Sequence, residues 1–229
     1  MGLVLNRAPK KAATPPSDAA TLIIVRIDGE TPRILMGKRH HSHVFMPDKF
    51  VFPGGRVELR DGRAAVAHEG APITLDKLKV RMRGKPSNSR ARGLQVAAIR
   101  ETYEETGLLV GRQEVDDAPD LRGLVYVARA ITPPGRSRRF DSRFFVCDAA
   151  VISNLDAPHP VAIAELEDLK WVSLAQALDL NLASITREIL GLLEPFLAQK
   201  TLPPVDFPVS FHRNRGKAWI VDILARPET

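Results

Sequence analysis

The 229-residue chain holds one cysteine, so no disulfide can form within it, and a reducing compartment is the expected setting. That residue, Cys147, sits in the apolar run Phe144-Phe145-Val146-Cys147, which suits a buried structural thiol rather than a nucleophile. No stretch approaches the roughly 20 uninterrupted apolar residues that span a bilayer. The first twenty residues, with Lys10, Lys11, Pro15 and Pro16, lack the continuous apolar core of a secretory signal. A flexible tail over residues 1–19, no membrane and a cytoplasmic location are the resulting expectations. Repeats, coiled-coil patterning and low-complexity tracts are also missing, which argues against a scaffold or array.

What remains is an ordinary globular composition, 44% hydrophobic and 26% charged, long enough for a substantial core. One domain over residues 20–229 is the simplest count. The net charge of +6 favours anionic partners, and the excess is local. Within residues 62–92, Arg63, Lys77, Lys79, Arg81, Arg83, Lys85, Arg90 and Arg92 face only Glu69 and Asp76. This segment reads either as a positive wall beside an active site or as a solvated insert, with Gly84 to Ser89 resembling loop. Leu75, Leu78 and Met82 recur at helical spacing and predict a short helix there.

The densest chemistry lies in Arg100-Glu101-Thr102-Tyr103-Glu104-Glu105-Thr106-Gly107. On a helix Glu101, Glu104 and Glu105 share one side, while Val96, Ile99 and Tyr103 face the other. Three ionised carboxylates on one face repel unless a cation or basic groups sit beside them. Hard oxygen donors point to Mg²⁺ or Mn²⁺, cations that bridge to substrate phosphates. Gly107 suits the left-handed residue that closes the helix. The alternative is a solvated acidic face.

Upstream, the β-rich run Lys49-Phe50-Val51-Phe52 breaks at Pro53-Gly54-Gly55. Together the two segments resemble the ends of a Nudix box, a glycine loop followed by Arg-Glu-hydrophobic-any-Glu-Glu-any-Gly-hydrophobic. The middle departs from that pattern. Asp61 stands in place of the usual Glu, 38 residues instead of seven separate it from Arg100, and Thr102 replaces an apolar residue. An expanded box of this kind is similar to that of coenzyme A diphosphatases, as are Phe45-Met46-Pro47, Thr132-Pro133-Pro134 and the run Arg139 to Phe145.

The resemblance implies an α/β (α+β) fold, a Nudix-type α/β/α sandwich with a mixed sheet. It implies metal-dependent water attack on a diphosphate linked to another moiety, a small-molecule substrate rather than nucleic acid. By position in the motif, Glu101, Glu104 and Glu105 with the carbonyl of Gly55 are the metal ligands, and Arg100 fixes a neighbouring carboxylate. Glu58 is a weaker candidate. The general base is either Glu105 or a member of the later group Glu165, Glu167 and Asp168.

Arg139, Phe140 and Arg143 could clamp a phosphate and stack a base, or form an Arg–Asp structural pair. Arg39 fits the first position of a coenzyme A signature, although His40, Val44 and Asp48 do not fit the rest. His40, His41 and His43 lack metal-ligand spacing and read as a substrate-contacting or exposed loop. Substrates other than coenzyme A therefore stay open: ADP-ribose, dinucleotide polyphosphates, oxidised nucleotides. A non-catalytic nucleotide- or RNA-binding module is the rival from another class, with the basic insert as its support.

Coarse periodicity predicts strands over Thr21–Ile27, Arg33–Lys38, Leu124–Ile131, Arg143–Ala149 and Lys170–Val172, and helices over Leu174–Leu180 and Ser184–Ala198. A last hairpin is expected over Phe207–Phe211 and Ala218–Leu224, whose edge is compatible with a homodimer.

Overall fold

In a computed structural model that describes residues 15–41, 46–160, 165–215 and 218–224, one mixed sheet lies between two helical layers. The expected tail falls mostly outside these residues, as does His43. Near-continuous buried runs, covered on both faces, make long central strands of β1 (Ser17–Arg26), β2 (Arg33–Arg39), β5 (Val125–Ile131) and β6 (Phe140–Asp148). Short β3 (Phe50–Val51) and β4 (Gly54–Arg56) flank the Pro53 break, and β7 (Leu166–Val172), β8 (Val209–Arg215) and β9 (Ala218–Leu224) follow.

The order is β3-β2-β1-β6-β5-β8-β9, with β4 paired to β1 and β7 to β2. β1 and β6 run parallel, as do β5 and β8, and the other pairs are antiparallel.

One face of the sheet packs α1 (Pro72–Lys79) and α2 (Asn88–Thr106) around Leu22, Ile24, Leu94, Ile99, Tyr126 and Phe145. The other packs α3 (Leu174–Asp179) and α4 (Ser184–Ala198) around Ile23, Val146, Ile189 and Leu193. Ser173 starts α3 through a reciprocal capping box with Gln176. Cys147 is buried on the α2 side, and burial pushes its thiol up.

The helix carrying the acidic cluster is longer than its motif. It begins at Asn88, where the Ser87 hydroxyl accepts from the Arg90 amide at 3.2 Å, so the insert supplies its first turns. It ends at Gly107, φ +73°, whose amide donates to the Tyr103 carbonyl at 2.8 Å. A side chain there would also collide with the His159 backbone.

Much of the basic insert is tied into the fold, although Arg63, Arg81, Arg83 and Lys85 stay exposed. Lys77 is buried and donates to the carbonyls of Val205 (3.0 Å) and Phe207 (2.7 Å). Arg81 pairs with Asp222 at 3.2 Å, Arg90 with Asp18 at 3.0 Å, and Arg92 with Glu69. Arg83 reaches the Pro16 carbonyl. These cations fasten β1 and the C-terminal hairpin to the α1 layer.

Candidate functional site

Phe52-Pro53-Gly54-Gly55 crosses the sheet edge directly under the last turns of α2. Gly54 has φ +154°, and a Cβ on it would lie 2.6 Å from the Thr21 Cα, so only glycine lets β4 sit this close to β1. Its amide donates to Glu105 Oε2 at 2.8 Å. A Cβ on Gly55 would strike the carboxylate of Glu101. The glycine turn and two of the three carboxylates are therefore in direct contact.

Glu105 is 3% exposed. Burial pushes its pKa up to about 8 against the opposing pull of the Gly54 amide and of Arg39, with the charges of Glu101 and Glu165 adding to the rise. Burial likewise raises Glu101, against its contact with Arg100. Of the three later acids, Glu165 is the one whose charge adds to the rise at both Glu101 and Glu105. Glu167 instead faces His40 at 3.4 Å, and Asp168 pairs with Lys170 at 2.8 Å.

Arg100 organises the cluster. It grips buried Asp61 with two bonds of 2.9 and 3.1 Å, Glu101 at 2.9 Å, Glu104 at 3.0 Å and the Arg56 carbonyl at 2.8 Å. The shorter side chain of Asp61 succeeds because a 3-10 turn at Asp61–Arg63 carries it beneath the guanidinium, and its second oxygen accepts the Glu58 amide at 2.7 Å. Thr102 fills its buried position by donating to the Ala98 carbonyl at 2.7 Å. Glu104 is half exposed and shared between Arg100 and Arg60, while Glu58 pairs outward with Arg60 at 2.7 Å.

Among the described residues no three acidic, histidine or cysteine groups stand ready-made around a metal ion. The donors nonetheless fit a hard cation. Two buried, mutually repelling carboxylates have their ionised forms disfavoured without an added positive charge. Glu101 and Glu105 would hold the cation beside the Gly55 backbone, and Glu104 is one helical turn away.

A cleft of about 650 Å³ opens from the glycine turn along the α4 face of the sheet. Phe52, Phe140, Phe144 and Trp219 line it, together with Thr132 and Ser142. Its charged lining residues are Arg39, Lys49 and Arg136; no carboxylate contributes among the described residues. Arg39 and Phe140 thus both line this cleft.

Arg139 lies on the adjoining rim and donates to the Thr132 carbonyl at 3.0 Å. Arg143 does not reach the cleft. Alternation along β6 turns it to the opposite face, where it is fully enclosed between Asp18 (2.8 Å) and Asp141 (3.1 Å). The substrate-binding expectation for Arg143 is corrected to the Arg–Asp pairing. Lys49, Arg136 and Trp219 were not foreseen; nothing local marks them, since three distant segments converge to place them.

An α/β/α sandwich with a carboxylate-bearing helix closed on a glycine turn is the Nudix fold. Residues 90–193 match the family model described as the NUDIX domain. A NUDIX hydrolase from Alicyclobacillus acidocaldarius superposes with a TM-score of 0.59 at 23% identity, covering 84% of this chain and all of its own. A MutT NUDIX hydrolase from Burkholderia pseudomallei is a looser likeness, with a TM-score of 0.48 at 20% identity, over 79% of this chain and 99% of its own. No curated protein matches the sequence. Family match and fold together support the Nudix superfamily.

Proposed function

We propose that this chain is a metal-dependent diphosphate hydrolase acting on nucleoside diphosphate derivatives, with coenzyme A or an acyl-coenzyme A as substrate. The observation that carries the reading is the contact of Glu101 and Glu105 with the Gly54–Gly55 turn at the mouth of a cationic, aromatic cleft. A diphosphate at the turn would meet the carboxylate-bound cation. The aromatic walls suit a base, and Arg39, Lys49 and Arg136 suit further phosphate. Coenzyme A, whose nucleotide carries an additional phosphate, matches that charge pattern and the expanded box.

A bound Mg²⁺ or Mn²⁺ would neutralise charge on the diphosphate oxygens. Glu101 and Glu105 would hold it, Glu104 would complete the set, and Arg100 holds Glu101 and Glu104 in position. Water attacks phosphorus, forming one P–O bond as the bridging P–O bond breaks, and its proton passes to a carboxylate. Glu165, exposed beside the buried pair, is the base we favour over Glu105. Two phosphomonoesters leave. The buried free thiol of Cys147 accords with a reducing cytoplasm.

The test is a panel of diphosphates incubated with Mg²⁺ or Mn²⁺, read by the monophosphate released. Coenzyme A should give a nucleotide and a phosphopantetheine fragment. Preference for ADP-ribose or a dinucleotide would move the substrate assignment and keep the chemistry. Tight RNA binding with no cleavage of any diphosphate would favour a binding module, though most of the basic insert is already committed to internal partners.

A further inference from the structure

The outermost strand carries an unusual row of side chains. Trp219, Val221 and Ile223 are 43%, 51% and 59% exposed. They alternate along β9 and so share one face. β9 ends the sheet, and among the described residues no strand pairs with its outer edge.

Natural edges are commonly blunted by lysine, proline or a bulge. β9 has none of these: it keeps an unbroken register with β8 from Ala218 to Leu224. Its one charge, Asp222, points to the opposite face. There Arg213 holds it at 2.8 Å and Arg81 at 3.2 Å.

We propose that β9 pairs antiparallel with β9 of a second copy of this chain, across a two-fold axis at Val221. This register sets Trp219 against Ile223 of the second copy and Val221 against Val221. All three exposed apolar residues gain cross-strand partners.

Other registers do worse. An axis at Asp222 would oppose two carboxylates, and an axis at Ile220 would leave Ile223 without a partner. At Val221, Asp222 meets Ile220, so like charges stay apart. The self-complementarity of this row singles out a second copy as the occupant rather than an unrelated strand.

The joined sheet would run continuously through both molecules, with Trp219 serving both the dimer seam and the cleft wall. One strand pair is a small interface by the standard of stable complexes, so association should depend on concentration within the micromolar range. The proposal is independent of the hydrolase reading, because its test does not measure hydrolysis.

Sedimentation velocity of the full chain across that range should show a monomer–dimer equilibrium. Val221→Lys and Val221→Glu should each weaken it by roughly tenfold or more, because like charges then face each other across the axis. Circular dichroism and melting should stay near wild type, since this side chain is half exposed. Mixing the two variants should restore a dimer, because only a 221-to-221 contact pairs lysine with glutamate. In the wild type, β9 amides should exchange more slowly as concentration rises, a readout that needs no variant. A wild type that stays monomeric throughout, variants that dimerise normally, or a mixture that remains monomeric would each overturn the proposal.

Discussion

The amide of Gly54 donates to Glu105 Oε2 at 2.8 Å, joining residues 51 positions apart and tying the glycine turn to the acidic helix. That bond holds a carboxylate in a place where its charge is costly. The site is therefore strained without a cation, and its composition follows from that condition.

Glycine is required at both positions of the turn. Gly54→Ala would push a Cβ into the β1 backbone and should destabilise the fold by about 1–3 kcal/mol, seen as a lower Tm. Gly55→Ala would instead displace the Glu101 carboxylate, so kcat should fall with little change in Tm. Equal loss of stability in both variants would contradict this division.

Glu105 makes the metal-free protein pH-sensitive. Its folded pKa, about 8, lies above the ordinary 4.5, so the unfolded chain ionises first as pH rises. Stability present below pH 4.5 should be lost progressively up to about pH 8. Melting curves in a chelator should show this decline, and Mg²⁺ should oppose it. Glu105→Gln should flatten the pH dependence. A metal-free Tm that rises over this window would refute the assignment.

Asp61 and Arg100 test the altered box. Asp61→Ala removes the two-bond grip on Arg100 and leaves it only Glu101, Glu104 and the Arg56 carbonyl, costing about 1–3 kcal/mol and lowering kcat by misplacing Glu101. Asp61→Glu should retain much more of both. Wild-type turnover in Asp61→Ala would separate this pair from function.

The cations divide into two groups. Arg143→Ala and Lys77→Met should each lower stability by about 1–3 kcal/mol, the first although Asp141 keeps Arg129 at 2.7 Å and Asp18 keeps Arg90 at 3.0 Å, with KM nearly unchanged. Arg136→Ala, at the cleft, should raise KM roughly tenfold while sparing Tm. The reverse pattern would return Arg143 or the insert to the substrate.

Most of the layer architecture was legible because periodicity reports burial directly: α4 begins and ends where its apolar spacing predicts, and Ser173 caps α3. The Glu101, Glu104 and Glu105 helix and the Gly54–Gly55 turn were legible as well, since their chemistry is local. Arg143 was misread because two-residue alternation decides which face a strand residue serves, and a one-position difference exchanges cleft for core. The role of the insert was left open for a related reason. Its charges are visible in sequence, while their partners, Asp18, Asp222 and the Val205 and Phe207 carbonyls, lie far along the chain.

The most direct test compares the wild type with Glu105→Gln on coenzyme A in Mg²⁺, following release of the nucleotide monophosphate and the phosphopantetheine fragment. Metal-dependent cleavage by the wild type, reduced at least about 100-fold in a folded Glu105→Gln protein, is the predicted result. Unchanged turnover in the variant, or no cleavage of coenzyme A or any other diphosphate by the wild type with either Mg²⁺ or Mn²⁺, would contradict it.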